Sequence, residues 1–84
     1  MTHVINQEVT VNSFYFRGGA GLKTFPRSIE WDGRFVTFAE AGLRYLVKQG
    51  SGLVQLFDMT EGDTTYRLRR DGSNWTLVGT KVGL

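Results

Sequence analysis

Asp32-Gly33 stands between two stretches of alternating apolar residues, and no other feature of this sequence constrains its fold as tightly. A two-residue loop of that kind favours a type I′ turn, with positive φ at both central residues, and it fixes how the flanking strands pair. Counting outward from the turn, Trp31 faces Arg34, Glu30 faces Phe35, Ile29 faces Val36 and Arg27 faces Phe38. Side chains alternate between the two faces of a strand. Ile29, Trp31, Val36 and Phe38 therefore gather on one face, and turn chemistry and hydrophobic pattern agree. Pro26 reads as lying just ahead of this hairpin, where its missing N–H costs no ladder bond.

The same logic extends in both directions. Between Glu8 and Arg17, Val9 and Val11 share a face, but Phe14 and Phe16 fall on the opposite parity. A one-residue slip of that kind predicts a bulge near Asn12-Ser13. Gly18-Gly19-Ala20-Gly21 reads as a loop, because three glycines in four residues hold neither strand nor helix. Downstream, Leu53 to Met59 reads as a strand, Thr60 to Asp63 as a turn and Thr64 to Arg70 as a strand. Tyr66 and Leu68 lie on one face of that strand, Arg67 and Arg69 on the other. Asp71 to Asn74 is the next turn. Trp75 to Val82 closes the meander, with Trp75 and Leu77 matching the Tyr66 and Leu68 face.

The segment from Thr37 to Gln49 carries two competing patterns. Thr37-Phe38-Ala39-Glu40 fits a capping box, S/T-x-x-E. Ala39, Leu43, Leu46 and Val47 share a helical face, Glu40 and Arg44 form an i,i+4 pair, and Gly50 suits a left-handed C-terminus. Against a helix, Gly42 sits at its middle, and Leu43, Tyr45 and Val47 alternate as a strand does. The helical signals outnumber the others, so a short helix near residues 38–48 is expected, with a bent strand as the alternative.

Composition bounds the energetics. The chain has 84 residues, with 11 aromatics and 11 glycines but one proline and no cysteine. Disulfides and thiolate zinc sites are excluded, and the single histidine, His3, excludes a multi-histidine cage. A chain near this length buries only about 60–65% of its unfolded surface. The aromatics must supply most of the core, with Trp31 and Trp75 as expected anchors, or else apolar surface is covered by a partner or a second copy. One domain over residues 1–84 is expected, with residues 1–6 fraying. The N-terminal stretch lacks a signal-peptide pattern and the chain has no 18-residue apolar run, so the expected location is cytoplasmic and no membrane partner is expected. The fold expected is mainly β: a small twisted antiparallel sheet or half-open barrel of five to six strands with that one short helix. The stretch from Phe25 to Gly83 resembles a small SH3-like or split-barrel domain, a likeness of fold that carries no function.

Several chemistries can be weighed on their residues. Gly18 to Thr24, GGAGLKT, departs from a phosphate-binding loop because Leu22, not glycine, precedes Lys23. Asp58, Glu61 and Asp63 do not match a calcium loop and read as a solvated turn. The carboxylate pairs Glu30/Asp32 and Glu61/Asp63 lack an apolar pocket to raise a pKa. With no cysteine and His3 near a chain end, catalytic dyads and triads lack their usual members. A non-catalytic module with no cofactor and no metal is therefore expected. The formal charge of +2 permits an anionic partner without requiring one. If nucleic acid or another anion binds, Arg17, Lys23, Arg34, Arg67 and Arg69 are the expected cations. Tyr15, Phe35 and Tyr45 are then the expected exposed aromatics, since rings stack on bases while cations meet phosphates. The same arginines equally suit the solvent face of any strand and guard against aggregation. A protein-interaction or self-association role, by strand addition or a two-fold dimer, is favoured over single-stranded nucleic acid. A small sheet rich in aromatics has open edges to cover.

Overall fold

Four two-residue turns organise the described residues. The computed structural model describes residues 2–17, 23–39 and 42–83. Its strands are β1 (Thr2–Arg17), β2 (Lys23–Trp31), β3 (Arg34–Thr37), β4 (Gly42–Gln49), β5 (Gly52–Glu61), β6 (Thr64–Asp71) and β7 (Asn74–Val82). At the β2–β3 turn Asp32 and Gly33 have φ of 53° and 72°, the type I′ signature, and Trp31, Glu30 and Ile29 pair with Arg34, Phe35 and Val36 as the turn dictates. The amide of Phe38 donates to the carbonyl of Arg27 and completes that register. The other three turns, at Gly50-Ser51, Gly62-Asp63 and Gly72-Ser73, each lead with a glycine of positive φ. That is where a type II′ turn places glycine.

All seven strands form one antiparallel sheet in the order β3-β2-β1-β7-β6-β5-β4. The 16-residue β1 pairs with both β2 and β7, and its register breaks three times, twice against β2 and once against β7. Asn12 is the extra residue between the Val11–Ile29 and Ser13–Ser28 pairs, at the predicted slip. The Ser13 and Ser28 hydroxyls hydrogen-bond across it at 2.9 Å. Arg27 is the extra residue on β2 between the Ser13–Ser28 and Phe14–Pro26 pairs, and the third break lies between Val4 and Gln7, where Asn6 takes φ of 52°. Bulges bend a strand and raise its twist. The sheet curls, and side chains of β2 and of the residue just after β3 reach those of β5 and β6: Phe25 meets Phe57 edge-on at 6.0 Å and Phe38 meets Tyr66 at 5.3 Å. One backbone bond, Ala39 N–H to the Thr60 carbonyl, spans from the end of β3 to β5.

The core comprises Val9, Phe25, Ile29, Val36, Phe38, Phe57, Met59, Tyr66, Leu68, Trp75 and Leu77. The predicted alignment of Tyr66 and Leu68 with Trp75 and Leu77 holds, since all four are buried. Several expectations are corrected. The sheet is open with seven strands, so the SH3-like barrel of five to six strands does not describe it. Among the described residues there is no helix. Residues 42–49 are β4, paired one-to-one with β5 from Gly42–Met59 to Gln49–Gly52. A helix there would leave the second edge of β5 unpaired beside its buried Phe57 and Met59, a cost the capping signals cannot offset. Gly42, costly in a helix, is at home here. A Cβ on it would collide with the Met59 side chain and stand 3.1 Å from the Asp58 carbonyl. Glu40, the acid of the expected capping box, and the Gly18–Gly21 loop lie outside the described residues.

Trp31 is half-buried against the core, not in it, and its Nε1 donates to Gln7 Oε1 at 3.1 Å. Pro26 lies inside β2 and is fully buried, tolerated because the register breaks beside it. Thr2, His3 and Val4 pair with Lys81, Thr80 and Gly79.

Candidate functional site

β4 ends the sheet, so its backbone is paired on one side only. The two-residue turn at Gly50-Ser51 sets which groups are free. Gln49 pairs with Gly52 across the turn, so the N–H and C=O of Gln49, Val47, Tyr45 and Leu43 point toward β5. Those of Lys48, Leu46, Arg44 and Gly42 alternate with them and point away, into solvent. The side chains are as open as the backbone. From Leu43 to Gln49 every residue of β4 is exposed, Leu43 at 60% and Leu46 at 59%.

The ladder sorts these side chains onto two faces. Arg44, Leu46 and Lys48 share the parity of Phe57 and Met59 but lie beyond the end of the core, opposite Phe57, Gln55 and Leu53. Leu43, Tyr45 and Val47 lie on the outer face with Asp58, Leu56 and Val54 of β5 and with Arg67 and Arg69 of β6. Val54 is buried there although it belongs to no part of the main core. The outer face thus carries a small apolar strip of its own, from Leu43 to Val54, with arginines at its flank.

Arg67 grips Asp58 with two parallel 2.8 Å bonds, Nε to Oδ1 and Nη2 to Oδ2. Its guanidinium carbon also lies 5.8 Å from the centroid of the Tyr45 ring. The Arg67 hydrogen bond is the main reason the Asp58 carboxyl is held below its ordinary pKa. The Arg67 charge and a hydrogen bond from Tyr45 act the same way, against partial burial, which works in the opposite direction. The Arg67 pKa is raised in turn, chiefly by Asp58. Beside this pair, Arg69 lies opposite Leu56, and its Nε is shielded from solvent without a hydrogen-bond partner.

The structure therefore brings Arg67, Arg69 and Tyr45 together on one face. Arg34 and Phe35 sit on β3, the other edge of the sheet. Arg34 lies 5.2 Å over the Trp31 ring, and Phe35 is 71% exposed. Tyr15, expected on the surface, is half-buried. Its hydroxyl donates to the Phe38 carbonyl at 2.8 Å and Arg27 covers its ring at 5.6 Å. Arg17 pairs with Lys23 through the backbone where β1 meets β2. The side chains of these two lie outside the described set.

A shallow groove of about 440 Å³ runs beside the Arg67–Asp58 pair, with His3, Val4 and Lys81 among its walls. Among the described residues no group of three or more His, Asp or Glu is placed to hold a metal ion. No described helix is long and apolar enough to cross a membrane.

Sequence reasoning ranked the strand at β4 second to a helix and missed the Arg67–Asp58 pair, yet both had signals. Gly50-Ser51 is a type II′ dipeptide between alternating stretches. Counting back from Gly62-Asp63 as a two-residue turn sets Asp58 opposite Arg67. Comparison with known protein families, with curated proteins and with solved structures finds no match.

Proposed function

We propose that this chain is a non-catalytic protein-binding or assembly module whose working surface is the β4 edge with the outer face of β4–β6. One observation carries the reading: a strand of eight residues whose free backbone edge coincides with exposed Leu43, Tyr45, Leu46 and Val47. Proteins usually protect such edges with short strands, bulges or cover. An open edge of this length is the geometry that strand addition uses, with backbone bonds giving affinity and alternate side chains giving selectivity. Beyond the strand, half-buried Leu56 extends this apolar surface over the outer face.

Single-stranded nucleic acid is the second reading. Arg67, Arg69 and Tyr45 on one face favour it. It ranks lower because the Arg67 guanidinium is committed to Asp58, which removes the best-placed cation from any phosphate. A displayed library of random extended peptides, panned on the chain and on Leu46→Lys, tests the first reading. Apolar-alternating peptides are expected to enrich on the natural chain and be lost on the variant. Retention on immobilised oligonucleotide that weakens steeply with salt, with no peptide enrichment, would replace this reading with the second.

A further inference from the structure

Resting on the edge-strand reading, we infer that the occupant of the β4 edge is a second copy of this chain, paired antiparallel about a two-fold axis at Tyr45. The alternation of free backbone groups restricts the possible registers. In an antiparallel pair, residues whose polar groups point outward must face each other. Gly42, Arg44, Leu46 and Lys48 carry those groups, so opposed residues must have the same parity and the axis must pass through a residue.

Charge then discriminates between the centres. An axis at Arg44 sets two arginines face to face, and an axis at Leu46 sets Arg44 against Lys48 of the second copy. Like charges directly opposite are destabilising. An axis at Val47 shortens the overlap to residues 45–49 and leaves Leu43 uncovered. An axis at Tyr45 overlaps residues 42–48, sets Arg44 against Leu46 and Lys48 against Gly42, and brings no cations closer than the diagonal. On the outer face it sets Leu43 against Val47 and Tyr45 against Tyr45. Two apolar strips become one across the joint, and four backbone-paired positions (42, 44, 46 and 48) satisfy every free group of the edge.

Closure also follows. The two-fold pairing consumes both β4 edges, so the assembly stops at two copies instead of growing. The remaining edge, β3, is only four residues long and carries the exposed Arg34. An interface of seven residues a side lies at the small end of the known range, below about 1,200 Å² in total, so the pairing is reversible and depends on concentration.

The chain has no cysteine, so one introduced cysteine reports on one position. Tyr45→Cys sets two sulfurs on the axis, with Cα atoms about 4.5 Å apart, within disulfide reach. It is expected to oxidise readily to a covalent dimer. Leu43→Cys alone is expected to remain monomeric, because its own counterpart lies about 13 Å away along the strand. An equal mixture of Leu43→Cys and Val47→Cys is expected to form the mixed dimer. Without oxidant, light scattering on the natural chain is expected to show mass rising from one copy to two with concentration, and Leu46→Lys is expected to weaken this at least roughly tenfold, because it places a lysine opposite Arg44.

A mass of one copy at every concentration, with no Tyr45→Cys disulfide, overturns the inference. So does cross-linking of Leu43→Cys as fast as Tyr45→Cys, the mark of random collision. If these tests fail while peptides still enrich on the natural chain and not on Leu46→Lys, the edge reading stands and self-pairing falls. If peptide enrichment fails too, both fall.

Discussion

Replacing Trp75 by alanine separates the two indoles, which look alike in the sequence and differ in the structure. Trp75 is 7% exposed and packs between Phe14 at 6.0 Å and Phe57 at 5.2 Å, with the Arg70 guanidinium 5.4 Å above it. Removing a buried tryptophan costs about 3–5 kcal/mol. Each lost ring pair adds about 0.5–1.5 kcal/mol, which sets the expectation near the top of that range. At about 0.05–0.15 kcal/mol per residue, a chain of this size has roughly 4–13 kcal/mol in total. Trp75→Ala is therefore expected to remove much or all of it. Trp31 is half-buried and its Nε1 bond to Gln7 is solvent-exposed, so Trp31→Ala is expected to cost only about 1–2 kcal/mol. Urea unfolding followed by circular dichroism measures both, with Trp75→Phe as a milder variant should the alanine fail to fold. A cost below about 1 kcal/mol for Trp75→Ala, or a larger cost for Trp31→Ala, would refute the packing described here.

Other perturbations probe other joints. Gly79→Ala would set a Cβ 2.6 Å from the His3 carbonyl, so it is expected to force β1 off β7 at a cost of about 1–3 kcal/mol, read from the melting temperature. Gly33 has φ of +72°, which a β-branched residue resists. Gly33→Val is expected to destabilise by about 1–3 kcal/mol, again read by urea unfolding, although its Cβ would meet nothing. The Asp58 carboxyl has a folded pKa below its unfolded one, so its contribution to stability is present above the unfolded value near 3.9 and is lost as pH falls through the folded one. An acid titration of stability is expected to show that loss, and Asp58→Asn to remove this component of it.

What was legible in the sequence was whatever a short turn decides locally. Asp32-Gly33 specified a register that the structure reproduces pair by pair, and the parity slip after Val11 located the bulge at Asn12. The meander faces followed because Tyr66, Leu68, Trp75 and Leu77 alternate cleanly. β4 was not legible in the same way. Leu43, Leu46 and Val47 satisfy a helical spacing, and Thr37 and Glu40 imitate a cap. What decides for a strand is distant in kind: β5 needs a partner on its second side, and Gly42 fits against Met59. Trp31 was misjudged because the side of a hairpin does not say how far the core extends along it. The outer-face cluster of Tyr45, Asp58 and Arg67 spans three strands, so it emerges only once two turns are both counted as two-residue loops.

Amide hydrogen exchange along β4, resolved by residue and repeated at low and high concentration, tests the central claim most directly. The expected pattern is alternation: slow exchange at Leu43, Tyr45 and Val47, which face β5, and fast exchange at Arg44, Leu46 and Lys48 when dilute. The fast set is expected to become protected as concentration rises. Uniform protection through residues 43–48 at every concentration would contradict it, since the segment would then be helical or its edge already covered within one chain.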